Sequence, residues 1–222
     1  MKPKEISILF IGISLIALSV VSCKKDDDNA SPSSTVYPNY SQLKTGNYWI
    51  YQQFVRDSAG NATPTSVVDS CYIEKDTLIN NVTFYKMIRP SSSSSMQTVY
   101  FLRDSLDYTV TSNGKIFFSS QDFTSLFSKT YILLGGGTTD TVCRVETKMA
   151  DKDWIVSTPA GTFQTSNMKN TYYMYPNWSG GGSIRAVNLR CAKDVGIVCE
   201  TLPFYASDPN YIERKLIRYH LN

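Results

Sequence analysis

Residues 98–118 read TVYFLRDSLDYTVTSNGKIFF, three short runs with apolar and polar residues interleaved, separated by two turn sequences. Asn113-Gly114 is typical of a two-residue type I′ hairpin turn, because both residues tolerate the positive φ angles that this turn requires. The other connection, DSLD at Asp104–Asp107, is rich in residues that favour turns. The stretch therefore predicts three strands joined by two hairpins.

The same pattern continues on both sides of this stretch. Val67–Lys75 and Val82–Arg89 flank the turn sequence DTLINN, and Asn47–Val55 alternates with aromatic residues on both faces. Further predicted strands are Thr141–Thr147, Trp154–Ser157, Thr162–Met168, Tyr172–Tyr175, Ser183–Arg190, Ile197–Leu202 and Tyr211–Tyr219. Ser120–Phe127 is predicted as one or two helical turns. The expected fold is all-β and mostly antiparallel, a curved sheet, half-barrel or barrel-like, with at most one or two short helices.

The N-terminal residues carry a targeting pattern. A charged start, Met1–Glu5, precedes the apolar run Ile6–Val21, which predicts a signal peptide over residues 1–22. The run is short for a membrane-spanning helix, which needs about 20 apolar residues. Its end, VVSC, resembles a bacterial lipobox with valine where leucine is usual, and the resemblance implies that Cys23 is lipidated. The alternative is an ordinary Cys23 thiol in an uncleaved anchor.

The residues after Cys23 read KKDDD and resemble the surface-export signal of Bacteroidota lipoproteins. That resemblance implies a lipid-anchored protein on the outer membrane with its folded part exposed at the cell surface; the alternative is a solvated charge run within a tether. Residues 23–40 are expected to form the lipidated N-terminus and a flexible linker. Residues 41–222 are then a single β-rich domain.

Composition excludes one class of partner. The chain has 22 Lys and Arg against 19 Asp and Glu, so it lacks the strong positive charge of a nucleic-acid binder. Its 15 tyrosines favour strands. No nucleic-acid partner is therefore expected.

Four cysteines remain for the folded domain: Cys71, Cys143, Cys191 and Cys199. An exported protein meets an oxidising compartment, so disulfides are predicted. A three-residue turn over Asp194–Gly196 would place Cys191 directly opposite Cys199, within disulfide reach, and Cys71 would then pair with Cys143. The alternative is four small buried apolar residues.

Catalytic signals are few. His220 is the sole histidine and is expected on the surface or at a sheet edge. Asp151 and Asp153 could act as paired carboxylates in glycoside hydrolysis, although they more readily suit a turn. The sequence has no closely spaced Cys pair, so no metal is expected, and the glycine runs lack a phosphate-loop ending, so no cofactor is expected. No catalytic residue is assigned.

Three motifs extend the resemblance along the chain. GNYWIY, STPAGTFQT and AKDVGIVCE, the last followed by ERKLIRY, are similar to segments of uncharacterised Bacteroidota outer-membrane lipoproteins. The resemblance implies a strand order similar to that of envelope half-barrels that carry or receive lipoproteins. The function implied is a noncatalytic binding or scaffold module anchored by its lipid, with a hydrophobic ligand, a glycan or an envelope protein as partner. The alternative is an envelope glycan hydrolase that uses paired carboxylates.

Overall fold

The computed structural model describes residues 36–57, 59–90, 97–135, 139–179, 184–202 and 212–222, and strands are its main regular structure. Cys23, the predicted signal peptide and most of the predicted linker lie outside these residues. The strands are β1 (Tyr48–Arg56), β2 (Ala62–Ile79), β3 (Val82–Pro90), β4 (Gln97–Ser105), β5 (Tyr108–Thr111), β6 (Ile116–Ser119), β7 (Ser128–Leu133), β8 (Thr141–Thr158), β9 (Gly161–Met174), β10 (Ile184–Ala192), β11 (Gly196–Thr201) and β12 (Ile212–His220). A 3₁₀ helix covers Pro176–Trp178.

All twelve strands belong to one antiparallel sheet in the order β6-β5-β4-β3-β2-β1-β12-β11-β10-β9-β8-β7. Strands paired in the sheet are consecutive in the chain except at the centre, where β1 pairs with β12. The edge strands β6 and β7 are not paired with each other, so the sheet is not closed. The predicted all-β, curved antiparallel sheet is confirmed.

The hairpins around the opening stretch are confirmed, but one turn type is wrong. Strands β4, β5 and β6 pair in sequence. Of Asn113 and Gly114, only Gly114 has a positive φ, +82°, whereas a type I′ turn requires two. A register shift between Thr109 and Val110 accommodates the longer loop instead. The clearest turn with two positive φ angles is Asn80-Asn81, between β2 and β3.

The helical turns predicted over Ser120–Phe127 are not present. Side-chain hydrogen bonds replace helical ones there: Asp122 Oδ1 accepts from the backbone N–H of Thr124 and of Ser125, at 3.1 and 2.9 Å. The Oγ of Ser119 accepts from the Asp122 N–H at 2.9 Å. Asp and Ser side chains that bond to nearby backbone in this way stabilise turns in place of a helix.

The hairpin of β8 and β9 is longer than predicted and is bent. A register shift between Ala150 and Trp154 interrupts the pairing, and Asp151 and Asp153 adopt positive φ angles of 47° and 62°. Such a bulge bends a strand sharply. At the tip of the hairpin, the Ala160 N–H donates to the Leu216 carbonyl of β12 at 3.1 Å. The bend therefore brings the tip of β8–β9 back onto the centre of the sheet.

One half of the interior, called here the filled half, is packed with apolar side chains. Its most deeply buried members are Trp49, Ile73, Leu102, Met149, Val198 and Leu216. The indole N–H of Trp49 donates to the Val195 carbonyl at 2.6 Å, and Gly196, with φ +99°, lies directly against the ring. A Cβ at Gly196 would lie 3.0 Å from the indole, so the predicted AKDVG turn needs this glycine for both its φ and its size.

Residues 36–47 lie on the filled half. The Tyr40 ring stacks 5.2 Å from that of Phe118, and the Asn39 carbonyl accepts from the Asp194 N–H at 2.8 Å. Asn47 joins this segment to the other end of the domain, because its Oδ1 accepts from the Asn222 N–H at 2.8 Å. No helix among the described residues is long and apolar enough to cross a membrane.

Candidate functional site

A cavity of about 370 Å³ lies in the other half of the interior, called here the cavity half. Arg89, Glu200 and Arg214 line one part of it. The remaining lining residues are Thr98, Tyr100, Ile116, Phe117, Thr147, Met168, Asn170, Tyr172, Val187, Asn188, Leu189, Thr201 and Leu202. The volume falls within the range of small-molecule sites, about 300–1,000 Å³.

The charged residues form one connected network. Glu200 accepts from Arg89 Nη2 through Oε2 and from Arg214 Nη1 through Oε1, the latter at 2.8 Å. Arg214 Nε also donates to Asp69 Oδ2 at 2.7 Å, where Gln53 donates as well, at 3.0 Å. Two arginines thus balance two carboxylates, and the network as a whole is neutral.

The strand register explains why these residues meet. Glu200 pairs with Arg214 across β11 and β12, and Gln53 pairs with Arg214 across β1 and β12. Directly opposite residues of an antiparallel pair lie on the same face. The network therefore depends on the central β1–β12 pairing, which brings residues more than 100 positions apart onto one surface.

Arg89 also contacts aromatic rings of the cavity wall. Its Cζ lies 5.8 Å from the centroid of Tyr100 and 5.9 Å from that of Phe117, and these two rings pack edge to face at 5.5 Å. A guanidinium at this distance from a ring is attracted by the ring's quadrupole. The cation is thus held by Glu200 and by the aromatic wall together.

The network keeps Glu200 ionised. Burial by itself would raise the pKa of this carboxyl, but the positive charges of Arg89 and Arg214 and their hydrogen bonds outweigh burial, so its pKa lies below the usual value. The pKa of Arg89 is raised, since the attraction of Glu200 outweighs the cost of its burial. At neutral pH Glu200 and Arg89 are therefore both charged.

The structure does not contain the predicted disulfides. Cys71, Cys143, Cys191 and Cys199 are buried free thiols. The predicted register is wrong, because a bulge between Arg190 and Cys191 pairs Cys191 with Ile197 and moves Cys199 opposite Arg190. Burial raises the pKa of Cys71, Cys191 and Cys199 to about 12, which keeps these thiols protonated and unreactive at neutral pH.

The other sequence candidates lie outside the cavity. Asp151 and Asp153 form the bend of β8, where Asp151 Oδ2 accepts from Asn167 Nδ2 at 2.9 Å and from Arg190 Nη2 at 3.2 Å. His220 is exposed, so its predicted surface position is confirmed, although β12 is a central strand. Its ring stacks on Tyr48. Within the described residues, no three or more His, Cys, Asp or Glu side chains are grouped to hold a metal.

Sequence reasoning missed the cavity residues. A usable signal exists on single strands: Arg89 stands two positions from Met87, and Arg214 two positions from Leu216, so alternation assigns each arginine to the buried face. A charged residue at an inward position marks a paired or functional site. The partner of Arg89, Glu200, and the second partner of Arg214, Asp69, come from distant strands and could not be named without the sheet order.

Comparisons with known proteins give two similar structures. A "putative lipoprotein" from Parabacteroides distasonis matches at 13% identity over 84% of this chain and 100% of its own, with a TM-score of 0.44. A "putative exported protein with YmcC-like fold" from Bacteroides fragilis matches at 13% identity over 83% of this chain and 98% of its own, with a TM-score of 0.40. No protein-family model and no curated protein matches the chain. The first is named a lipoprotein and the second an exported protein.

Proposed function

We propose that the protein is a noncatalytic binding module of the cell envelope, anchored in the outer membrane by a lipid on Cys23, and that its ligand occupies the cavity. The observation that carries the proposal is the cavity itself, about 370 Å³, with apolar and aromatic walls beside a few fixed polar groups. Small-molecule sites typically combine these features.

The charge network supports binding over catalysis. Glu200 is the single carboxylate among the cavity-lining residues, and two guanidinium groups hold both of its oxygens. A general acid or base needs a pKa near the working pH and a free site for the proton. Glu200 meets neither need, because its pKa is lowered and both of its oxygens accept from arginines. Asp151 and Asp153 do not line the cavity, so no observation favours the glycan hydrolase.

The binding role is tested by filling the cavity. Val187 lines it and is buried, whereas Val99 is exposed at 46% of its surface on β4. Full-length protein from its native host is examined by native mass spectrometry for a retained small molecule. We expect such a molecule with the wild type and with the control Val99→Phe, and its loss with Val187→Phe. Wild type without a ligand, or unchanged retention by Val187→Phe, would contradict the proposal.

The anchor is tested separately. Cys23→Ala removes the residue that would carry the acyl chains, and two or more long chains are needed for stable attachment. We expect the wild type in the membrane fraction with acyl chains on Cys23. The variant should carry no acyl chains and should no longer be in the membrane fraction. Labelling with a membrane-impermeant reagent on intact cells then checks surface exposure. A wild-type chain whose mass shows no acylation would contradict the anchor and leave the cavity proposal intact.

A further inference from the structure

We infer that the ligand of the cavity carries a carboxylate that binds Arg89, with an apolar group that lies against the aromatic wall. The inference rests on the proposed binding function and names the class of ligand. It follows from an account of the hydrogen-bonding groups that the cavity walls leave available.

The carboxylate of the cavity and the amide of Asn188 already accept hydrogen bonds within the protein. Glu200 uses both oxygens on arginines, and Asp69 Oδ2 accepts from Arg214 and from Gln53. Asn188 is engaged at both ends of its amide, accepting from Asn167 at 2.8 Å and donating to Thr201 at 3.3 Å. A ligand donor would have to compete for these oxygens.

Donors remain in the same cavity. A guanidinium has five N–H groups in a planar fork. Among the described residues, Arg89 reaches one acceptor, Glu200, through Nη2. Asn170 Oδ1 accepts from Thr147 at 2.7 Å, and the Nδ2 of the same amide is a second donor in the cavity wall. The unused capacity of these charged and amide side chains is thus on the donor side, and it favours a ligand with acceptor oxygens.

Arg89 is also held for such a ligand. Arg89 is 9% exposed, and its guanidinium is held by Glu200, Tyr100 and Phe117. Paired hydrogen bonds from a guanidinium fork to a carboxylate are among the stronger ones in proteins. Ile116 and Phe117 line the same cavity, so an apolar group attached to the carboxylate has an apolar surface to contact.

The test uses three probes with one tail: 3-phenylpropanoate, 3-phenylpropan-1-ol and 3-phenylpropylamine, titrated calorimetrically into full-length protein. We expect the acid to bind at least about tenfold more tightly than the alcohol, since hydrogen bonds to charged groups are the stronger kind. The amine should bind no better than the alcohol. Arg89→Gln should remove the preference for the acid, so that the acid binds no more tightly than the alcohol.

Two further variants protect the test. Arg89→Gln combined with Glu200→Gln removes both charges of the pair and covers the case in which the single variant does not fold. Arg103→Gln is the matched control, because Arg103 packs over the Phe84 ring and does not line the cavity. Equal affinity for acid and alcohol would overturn the carboxylate inference and retain the binding cavity. Failure of all three probes to bind would overturn the inference, and the mass-spectrometric experiment on Val187→Phe then decides the binding function independently.

Discussion

The filled half and the cavity half of the interior are built from the same strands. On β3, Met87 of the filled half stands two positions before Arg89 of the cavity half. On β12, Arg214 of the cavity half stands two positions before Leu216 of the filled half. Both residues of each pair point inward, because strand side chains alternate. The change from apolar core to charged cavity is therefore made by residue choice alone, on one continuous backbone.

The difference has an energetic meaning. Apolar residues in the filled half stabilise the fold by leaving water. Buried ion pairs seldom do so, because removing charges from water costs as much as their attraction returns. A sheet selected only for stability would fill both halves with apolar side chains. The retained charges and unfilled volume are typical of a site kept for a function.

The largest effect is expected at Arg214. Its side chain is 3% exposed and pairs with both Asp69 and Glu200. Arg214→Met leaves buried negative charge without its partner, and we expect the free energy of unfolding to fall by about 3–5 kcal/mol in urea titrations. The control is Arg218→Met, an exposed arginine of the same strand, with an expected change within about 0.5 kcal/mol. Similar losses of unfolding free energy for the two variants would mean that the charge network does not contribute to stability.

Two leucines of different burial compare the two halves. Leu102 is fully buried in the filled half, whereas Leu189 is half-buried and borders the cavity. Leu102→Ala should cost about 2–5 kcal/mol of unfolding free energy, because it opens a new void in packed surroundings. Leu189→Ala should cost less, since it enlarges an existing space. Thermal and urea unfolding measure both, and equal costs would mean that the two halves are packed alike.

Glycines separate backbone strain from close packing. Gly196 and Gly114 both have positive φ angles, so an alanine at either should cost about 1–2 kcal/mol. Only Gly196 also contacts the Trp49 ring, which should add at least about 1 kcal/mol of overpacking. Unfolding of Gly196→Ala and Gly114→Ala gives the difference. Identical losses of unfolding free energy would show that the side chains around Trp49 rearrange to accommodate the added methyl group.

The smallest effect is expected from pH, through Glu200. Its folded-state pKa lies below the ordinary value of 4.5, so its contribution to stability is fully present above pH 4.5 and is lost as the pH falls through the folded pKa. Unfolding measured between pH 6 and pH 3 should show a shallower loss on acidification for Glu200→Gln than for the wild type. Parallel curves would mean that the folded protein does not hold Glu200 more strongly ionised than the unfolded chain does.

The strands were predictable because their signals are local. Alternation in TVYFLRDSLDYTVTSNGKIFF and the turn residues of DTLINN gave most of the hairpins. The bulge at Asp151–Asp153 was not predictable, since its bend is stabilised by Asn167 and Arg190 from two other strands. For the same reason a bulge beside Cys191 displaced the expected cysteine register.

The cavity lay further from reach of the sequence. Arg89 and Glu200 are 111 positions apart, and Asp69 and Arg214 are 145 apart, so no local window of sequence contains either of these pairs. Their meeting requires the pairing of β1 with β12, which no local turn encodes. Strand alternation assigns each arginine to the buried face, but only the sheet order shows that the two arginines lie together.

That central pairing also governs how the molecule can be assembled. Each half of the sheet, β1–β6 and β7–β12, is a chain of hairpins that can form between near neighbours, but Tyr48 meets His220 only across the length of the domain. Contacts of such long range form slowly, because the loop entropy is lost before the contact is gained. Until β12 has docked, β1 and β11 each present an open edge, the kind of edge at which chains aggregate. A chain that emerges N-terminus first thus completes its sheet only when its twelfth strand arrives, and until then the hydrogen-bonding edge of β1 stays open.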